Sequence, residues 1–148
     1  MAACVFCEIL EGRVPASFVY RDERVSAFMD HQPVNPGHLL VVPNQHAGSL
    51  AELDPAVGAR LFQVAQQLGG ALRRSGLPCA GVNLYLADGA AAGQEVPHIH
   101  LHVIPRLVGD GIGLRKGPSN RPYPRPAALD EVAAAIRQAL ESSSNHED

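Results

Sequence analysis

Three histidines alternate with apolar residues in the run His98-Ile99-His100-Leu101-His102. Side chains two residues apart on an extended strand share a face, so this spacing predicts three imidazoles on one side and Ile99, Leu101 and Val103 on the other. Imidazole suits nucleophilic attack, proton transfer and metal ligation near neutral pH. A solvated sheet face would more naturally carry β-branched or hydroxyl residues. Distance argues against one ion held by all three: at about 3.3 Å per residue, the Cα atoms of His98 and His102 stand about 13 Å apart, whereas Zn–N bonds are near 2.0 Å. A metal can use one or two of these histidines, which leaves the others for chemistry. A second group of ligand-type residues is Cys4-x-x-Cys7. Three cysteines, an odd number, suit a metal or redox role better than a disulfide framework. A thioredoxin-like redox pair would follow a strand in a βαβ unit, and this pair lies at the start of the sequence. Cys79 has no evident partner and reads as a core residue. Just upstream of the histidines, Asp88-Gly-Ala-Ala-Ala-Gly-Gln94 is a glycine-rich loop of a kind that either cradles a phosphate or simply joins two elements.

These residues need a scaffold. A length of 148 residues fits one domain over 1–148. With 46% hydrophobic and 18% charged residues, the composition excludes a disordered chain. A net charge of −3 argues against a non-specific nucleic-acid or anionic-membrane binder, since blanketing phosphates takes an excess of Lys and Arg. The first residues lack a basic n-region, and no apolar run nears ~18 residues, so a cytoplasmic protein is expected. Apolar or alternating runs at 18–20, 25–29, 39–42, 82–86 and 98–104 predict five strands, bounded by Gly, Pro, Asp or Asn. The first two, joined across Arg21-Asp22-Glu23-Arg24, predict an antiparallel hairpin. Asp54-Pro55 supplies an N-cap and a first-turn proline, after which Val57, Leu61, Val64, Leu68 and Leu72 recur at helical spacing. That helix should run to about Ser75, stopped by Gly76 and Pro78. Leu129, Val132, Ile136 and Leu140 predict a second helix over 126–141, with 142–148 as a frayed tail. Residues 107–125, rich in Gly, Pro and Arg, read as a long functional or mobile loop.

The run His98-Ile-His100-Leu-His102-Val-Ile resembles the His-φ-His-φ-His-φ-φ signature of the histidine triad (HIT) family, and Ala92-Gly-Gln-Glu-Val96 resembles the segment that precedes it there. The similarity extends through Phe28-Met-Asp30, Pro36-Gly-His-Leu-Leu-Val-Val-Pro43, Cys4-x-x-Cys7 and Asn83, over about residues 4–106, and points to the Hint-like bacterial branch. The resemblance implies a small α+β fold, a five-stranded, mainly antiparallel sheet with two helices, that pairs its sheets in a homodimer. It implies that His100 attacks the α-phosphorus of a purine nucleotide to give a nucleotidyl-histidine that water resolves. His100 should then carry its proton on the other ring nitrogen and donate it to a backbone carbonyl. By the same likeness His102 bonds the phosphoryl oxygens or the leaving group. Gly93, Gln94 and Glu95 surround the phosphate, Asp30 binds the ribose, and Phe6, Ile9, Met29 and His31 wall the base. Asn83 belongs to the same nucleotide-binding set. Cys4, Cys7, His46 and His98 resemble a Cys₂His₂ structural zinc site, a closed tetrahedron that holds the fold and does not react.

Two residues depart from the family pattern. Glu95 stands where Ser or Thr is usual, placing a carboxylate where a transferring phosphoryl group would be repelled. Ala87 stands where Asn or Gln is frequent. The resulting expectation is a hydrolase or transferase that cleaves phosphoramidate or ester conjugates of purine nucleoside monophosphates. The alternatives are a dinucleoside polyphosphate hydrolase, a catalytically weak nucleotide-binding zinc protein, and a metallohydrolase that uses the triad as its metal site.

Overall fold

The computed structural model describes residues 4–113 and 124–144. They fall into two compact units, one ending at Gly111 and one beginning at Ile112. In the first unit the order is α1 (Val5–Leu10), β1 (Phe18–Arg21), β2 (Val25–Met29), β3 (Leu39–Pro43), α2 (Pro55–Arg74), β4 (Gly81–Leu86) and β5 (Leu101–Arg106), with short 3₁₀ turns at Leu50–Glu52 and Ala90–Ala92. All strands pair antiparallel in the order β1-β2-β3-β5-β4. The second unit contributes α3 (Pro126–Ser144), along which Leu129, Val132, Ile136 and Leu140 form an exposed apolar stripe. No helix among the described residues is long and apolar enough to cross a membrane.

Helix α2 forms where its caps and periodicity place it. The Asp54 carboxylate accepts the Ala56 amide at 2.9 Å, Pro55 opens the first turn, and the C-cap is Ser75. Its inner stripe of Leu61, Val64, Ala65, Leu68 and Leu72 packs on Val25, Ala27, Leu39, Val41, Ile99, Leu101 and Val103 of one sheet face. Burying each large aliphatic side chain in this layer contributes about 1.5–3 kcal/mol. The opposite face gathers Phe28, Leu40 and Val42 beneath Phe6 and Ile9 of α1. Because Leu40 pairs with His102 in the β3–β5 register, the face under α1 is also the one that carries histidine.

Three expectations need correction. α1 is an additional helix, hidden in the sequence because six residues are too few for a periodicity to show; Cys4 caps it, its sulfur accepting the Cys7 amide. The fifth strand begins at Leu101, three residues after the expected start, and runs on to Arg106. The backbone explains the late start: the His98 amide donates to Val96 O and the Ile99 amide to Ala47 O, both at 2.8 Å, so these groups are committed to loops before the ladder begins. α3 continues three residues past 141 to Ser144, with the Ser142 hydroxyl donating back to Gln138 O at 2.7 Å. Residues 107–113 carry no helix or strand, while 114–123 of the expected loop and 145–148 of the expected tail lie outside the described residues.

The β1–β2 hairpin turns on Asp22. Its carboxylate accepts the Arg24 and Val25 amides at 2.7 and 2.8 Å, the Tyr20 hydroxyl at 2.8 Å and Arg60 Nε of α2 at 2.9 Å. Burial alone would raise this carboxyl, but the four hydrogen bonds reverse the effect and hold it well below the usual carboxylate range. A group so lowered stabilises the fold fully above its unfolded value near 3.9 and progressively less as pH falls toward its folded value. Asp22→Ala should therefore cost about 2 kcal/mol in urea unfolding at pH 7 and clearly less at pH 2; an equal loss at both would show that the charge is not involved.

Candidate functional site

Two clusters of side chains meet beside the start of β5. In the first, Cys4 and Cys7 at the head of α1 face His46 and His98. His98 Nδ1 lies 3.4 Å from Cys4 Sγ, 3.6 Å from Cys7 Sγ and 3.2 Å from His46 Nδ1, and Cys7 Sγ lies 3.4 Å from His46 Nδ1. A tetrahedral zinc with bonds of about 2.3 Å to sulfur and 2.0–2.1 Å to nitrogen separates an S–N ligand pair by about 3.6 Å and an N–N pair by about 3.3 Å. These four separations lie close to the tetrahedral values, and all four ligand atoms lie within 4.8 Å of one another. His98 Nε2 donates to Pro43 O at 2.9 Å, which leaves Nδ1 as the lone-pair nitrogen and supplies the outer hydrogen bond that metal-binding imidazoles use for orientation. Burial, then Cys4 beside it and the carboxylates of Glu11 and Glu8, push the Cys7 thiol up to about 11. Only a bound cation would let it ionise at neutral pH.

The second cluster holds the other two histidines of the run. His100, buried beneath α1, donates from Nδ1 to His98 O at 2.8 Å. Its Nε2 therefore carries the lone pair. Phe6 meets the ring edge-on with centroids 5.2 Å apart. His102 Nδ1 lies 2.9 Å from His38 Nε2. The Val34 amide donates to His38 Nδ1 at 3.0 Å, so His38 carries its proton on Nε2 and donates it to His102 Nδ1. By elimination His102 carries its own proton on Nε2. Asp30 Oδ2 stands 3.4 Å from His38 Nε2, completing an Asp30–His38–His102 group whose ligand-type atoms converge. Burial, then the charges of His100 and His38, push His102 down to about 4 against the opposing pull of Asp30. Burial likewise lowers His38. His102 is therefore a neutral donor at pH 7.

A cavity of about 1020 Å³ opens on this face, at the upper end of the range for small-molecule sites. Its lining includes the apolar Phe6, Ile9, Phe28 and Met29, together with Asp30, His31, Tyr85, Gly93, Glu95, His100 and His102. The conformation of Gly93 is left-handed, with φ +92°, and a Cβ there would approach the Tyr85 hydroxyl to 3.5 Å; that hydroxyl donates to Ala92 O at 3.1 Å. Two residues expected at the nucleotide are placed elsewhere. Gln94 braces the loop: its carbonyl oxygen accepts the Gly89 amide at 2.8 Å, and its amide donates to Gly48 O at 2.9 Å and Val96 O at 3.0 Å. Asn83 lies on edge strand β4, its oxygen accepting Arg106 Nη1 at 2.6 Å, away from the cavity lining. Ala87 is buried and likewise outside the lining.

His38 and Tyr85 were not singled out from the sequence. The signal for His38 was a histidine opening the all-apolar run 39–42 behind Pro36-Gly37, since a polar side chain there must be buried with a partner. Gly37 makes the turn possible: φ is +101°, and a Cβ would come within 2.9 Å of Leu72 and 3.3 Å of Leu77 and Pro105. Tyr85 follows from register, because it sits opposite His102 on β4.

The fold and this histidine constellation define a histidine triad protein, and the chain belongs to the HIT domain family, whose model matches residues 11–108. It is similar to an uncharacterised HIT-like protein of Borreliella burgdorferi, 42% identical over 118 residues that span 79% of this chain and 85% of that one. Among solved structures, a HIT family protein from Bacillus anthracis is 34% identical with a TM-score of 0.82, covering 92% of this chain and 96% of that one. A zinc-bound histidine triad family protein from Mycobacterium smegmatis is 39% identical with a TM-score of 0.72, covering 95% and 97%.

The lowered His102 gives a pH test of this geometry. The unfolded chain protonates this imidazole below about 6.5, whereas the fold keeps it neutral down to about 4, so stability is full above pH 6.5 and declines as pH falls to 4. His102→Gln should flatten that decline in urea midpoints taken at pH 7 and pH 4.5. A variant that tracks the wild type across this window would show that His102 titrates normally.

Proposed function

We propose that this chain is a nucleotidyl hydrolase or transferase acting at the α-phosphorus of purine nucleoside monophosphate conjugates, phosphoramidates or esters. The observation that carries this reading is the hydrogen bond from His100 Nδ1 to His98 O, because it leaves a neutral Nε2 lone pair in a cavity furnished for a nucleotide. The apolar lining residues Phe6, Ile9 and Met29 suit a base, and the lining carboxylate of Asp30 suits ribose hydroxyls. His100 Nε2 attacks phosphorus; the P–N(His) bond forms as the bond to the leaving group breaks. The electron pair departs with the leaving atom, which takes up one proton from solvent. His102 donates its Nε2 proton in a hydrogen bond to the phosphoryl oxygen or leaving atom, where negative charge grows. The Asp30–His38 pair holds His102 in the required tautomer and orientation. Water then attacks the phosphorus, its proton passes to solvent, and the P–N electron pair returns to His100.

The same reading assigns a structural zinc to Cys4, Cys7, His46 and His98; when bound, it contributes folding energy and no chemistry. The mutual proximity of the four donor atoms supports it, and the similar Mycobacterium smegmatis protein is zinc-bound. We place the protein in the cytoplasm as a homodimer that pairs sheets along β4, an edge strand with an exposed Leu84.

Two measurements follow. His100→Ala should lower kcat on an AMP-amine conjugate by roughly 10³ or more, with AMP affinity changed only a few-fold, since a nucleophile acts chiefly in the transition state. Rapid-quench mass spectrometry should find a nucleotide adduct on the wild type and none on the variant; an active His100→Ala would falsify the nucleophile assignment. Metal analysis should find about one zinc per chain, and Cys7→Ser should lose it and melt earlier. A metal-free wild type that melts like the variant would remove zinc from the account.

A further inference from the structure

Glu95 is a carboxylate residue in the cavity lining that also includes His100 and His102. Its position is not an accident of a loose loop. On one side the Gln94 side chain is fixed by three backbone hydrogen bonds; on the other, Val96 packs into the Phe6–Phe28–Leu40 cluster. The backbone between them is set, and Glu95 is an exposed residue of the cavity lining with no hydrogen-bond or ion-pair partner among the described residues. The other lining carboxylate, Asp30, is already engaged, accepting the Gln32 amide at 2.8 Å and standing 3.4 Å from His38. Among the described residues the lining includes no Lys or Arg, and His102 is a neutral donor.

A site furnished this way is poorly matched to a substrate that brings several phosphate charges, because each extra charge meets a carboxylate and no described cation. It is well matched to a substrate with one phosphoryl charge whose departing part is positive. We propose that Glu95 is a specificity-determining residue: it selects conjugates whose leaving group is an amine bearing a further ammonium, and it rejects polyphosphate leaving groups. This rests on the reaction proposed above and adds the charge class of the substrate. The Glu95 carboxylate attracts the ammonium while His100 attacks, and it takes no part in bond breaking.

The test compares kcat/KM on three probes: AMP joined through a P–N bond to a diamine whose far nitrogen is an ammonium, AMP joined to an alkylamine of the same length, and diadenosine tetraphosphate. Wild type should prefer the diamine conjugate over the alkylamine conjugate by about tenfold, a preference that shrinks as salt rises. Glu95→Gln and Glu95→Ser should bring that ratio close to one and raise turnover of the tetraphosphate relative to both amidates. The same ratio in wild type and variants, or a wild-type ratio near one, overturns the role of Glu95 while leaving the reaction standing. No turnover and no covalent adduct with any probe overturns the reaction, and the selectivity with it.

Discussion

The hydrogen bond from His100 Nδ1 to the backbone carbonyl of His98, 2.8 Å long, is the constraint around which the site is arranged. An imidazole has two nitrogens and, when neutral, one proton; which nitrogen keeps the lone pair decides whether it can attack, donate or bind a metal. In this fold each histidine of the run has its proton placed by a different neighbour. His98 donates its Nε2 proton in a hydrogen bond to Pro43 O, which leaves Nδ1 toward the cysteines. His100 donates its Nδ1 proton in a hydrogen bond to His98 O. His38 donates into His102 Nδ1 and so leaves the His102 proton on Nε2. Three chemically identical side chains thereby become a metal-type ligand, a nucleophile-type lone pair and a neutral donor.

The late start of β5 is part of this arrangement. Pairing with β3 begins at Val41↔Leu101, so His98 precedes the ladder and its carbonyl is available to an imidazole in place of a neighbouring strand. The neighbouring amides are satisfied meanwhile by Val96 O and Ala47 O, which keeps a buried stretch of irregular backbone from carrying unmet polar groups. His98 also ties the two clusters together: its ring closes the Cys4–Cys7–His46 group, and its carbonyl orients His100. Phe6 of α1 adds a second link, because it follows Cys4 by two residues and touches both His98 and His100 edge-on, at 5.8 and 5.2 Å.

Much of this was legible from residue order. The Asp54-Pro55 cap and the 3–4 spacing through Leu72 gave α2 to within a residue of each end, because cap, proline and stripe all agree. Period-two alternation from Ile99 to Val103 separated the α2 face from the cavity face. The family resemblance named Cys4, Cys7, His46 and His98 as one ligand set, and the fold brings those four side chains together. Other features required tertiary structure. α1 is too short for a pattern, His38 acts through a residue 64 positions away, and Gln94 spends its amide on Gly48 O across the fold. No local pattern shows that this glutamine braces the glycine-rich loop, while Gly93 and Glu95 of the same segment are in the cavity lining.

The division of labour among the histidines depends on where the protons sit, and their ring nitrogens report that directly in solution. Two-bond ¹H–¹⁵N correlation spectra of uniformly ¹⁵N-labelled protein at pH 7, assigned with single histidine substitutions, distinguish a protonated ring nitrogen from one with a lone pair. His100 should be the Nδ1–H tautomer, and His38 and His102 should both be Nε2–H tautomers. A His100 found as the Nε2–H tautomer, with its lone pair directed at a carbonyl that cannot donate to it, would contradict the arrangement from which the site is built.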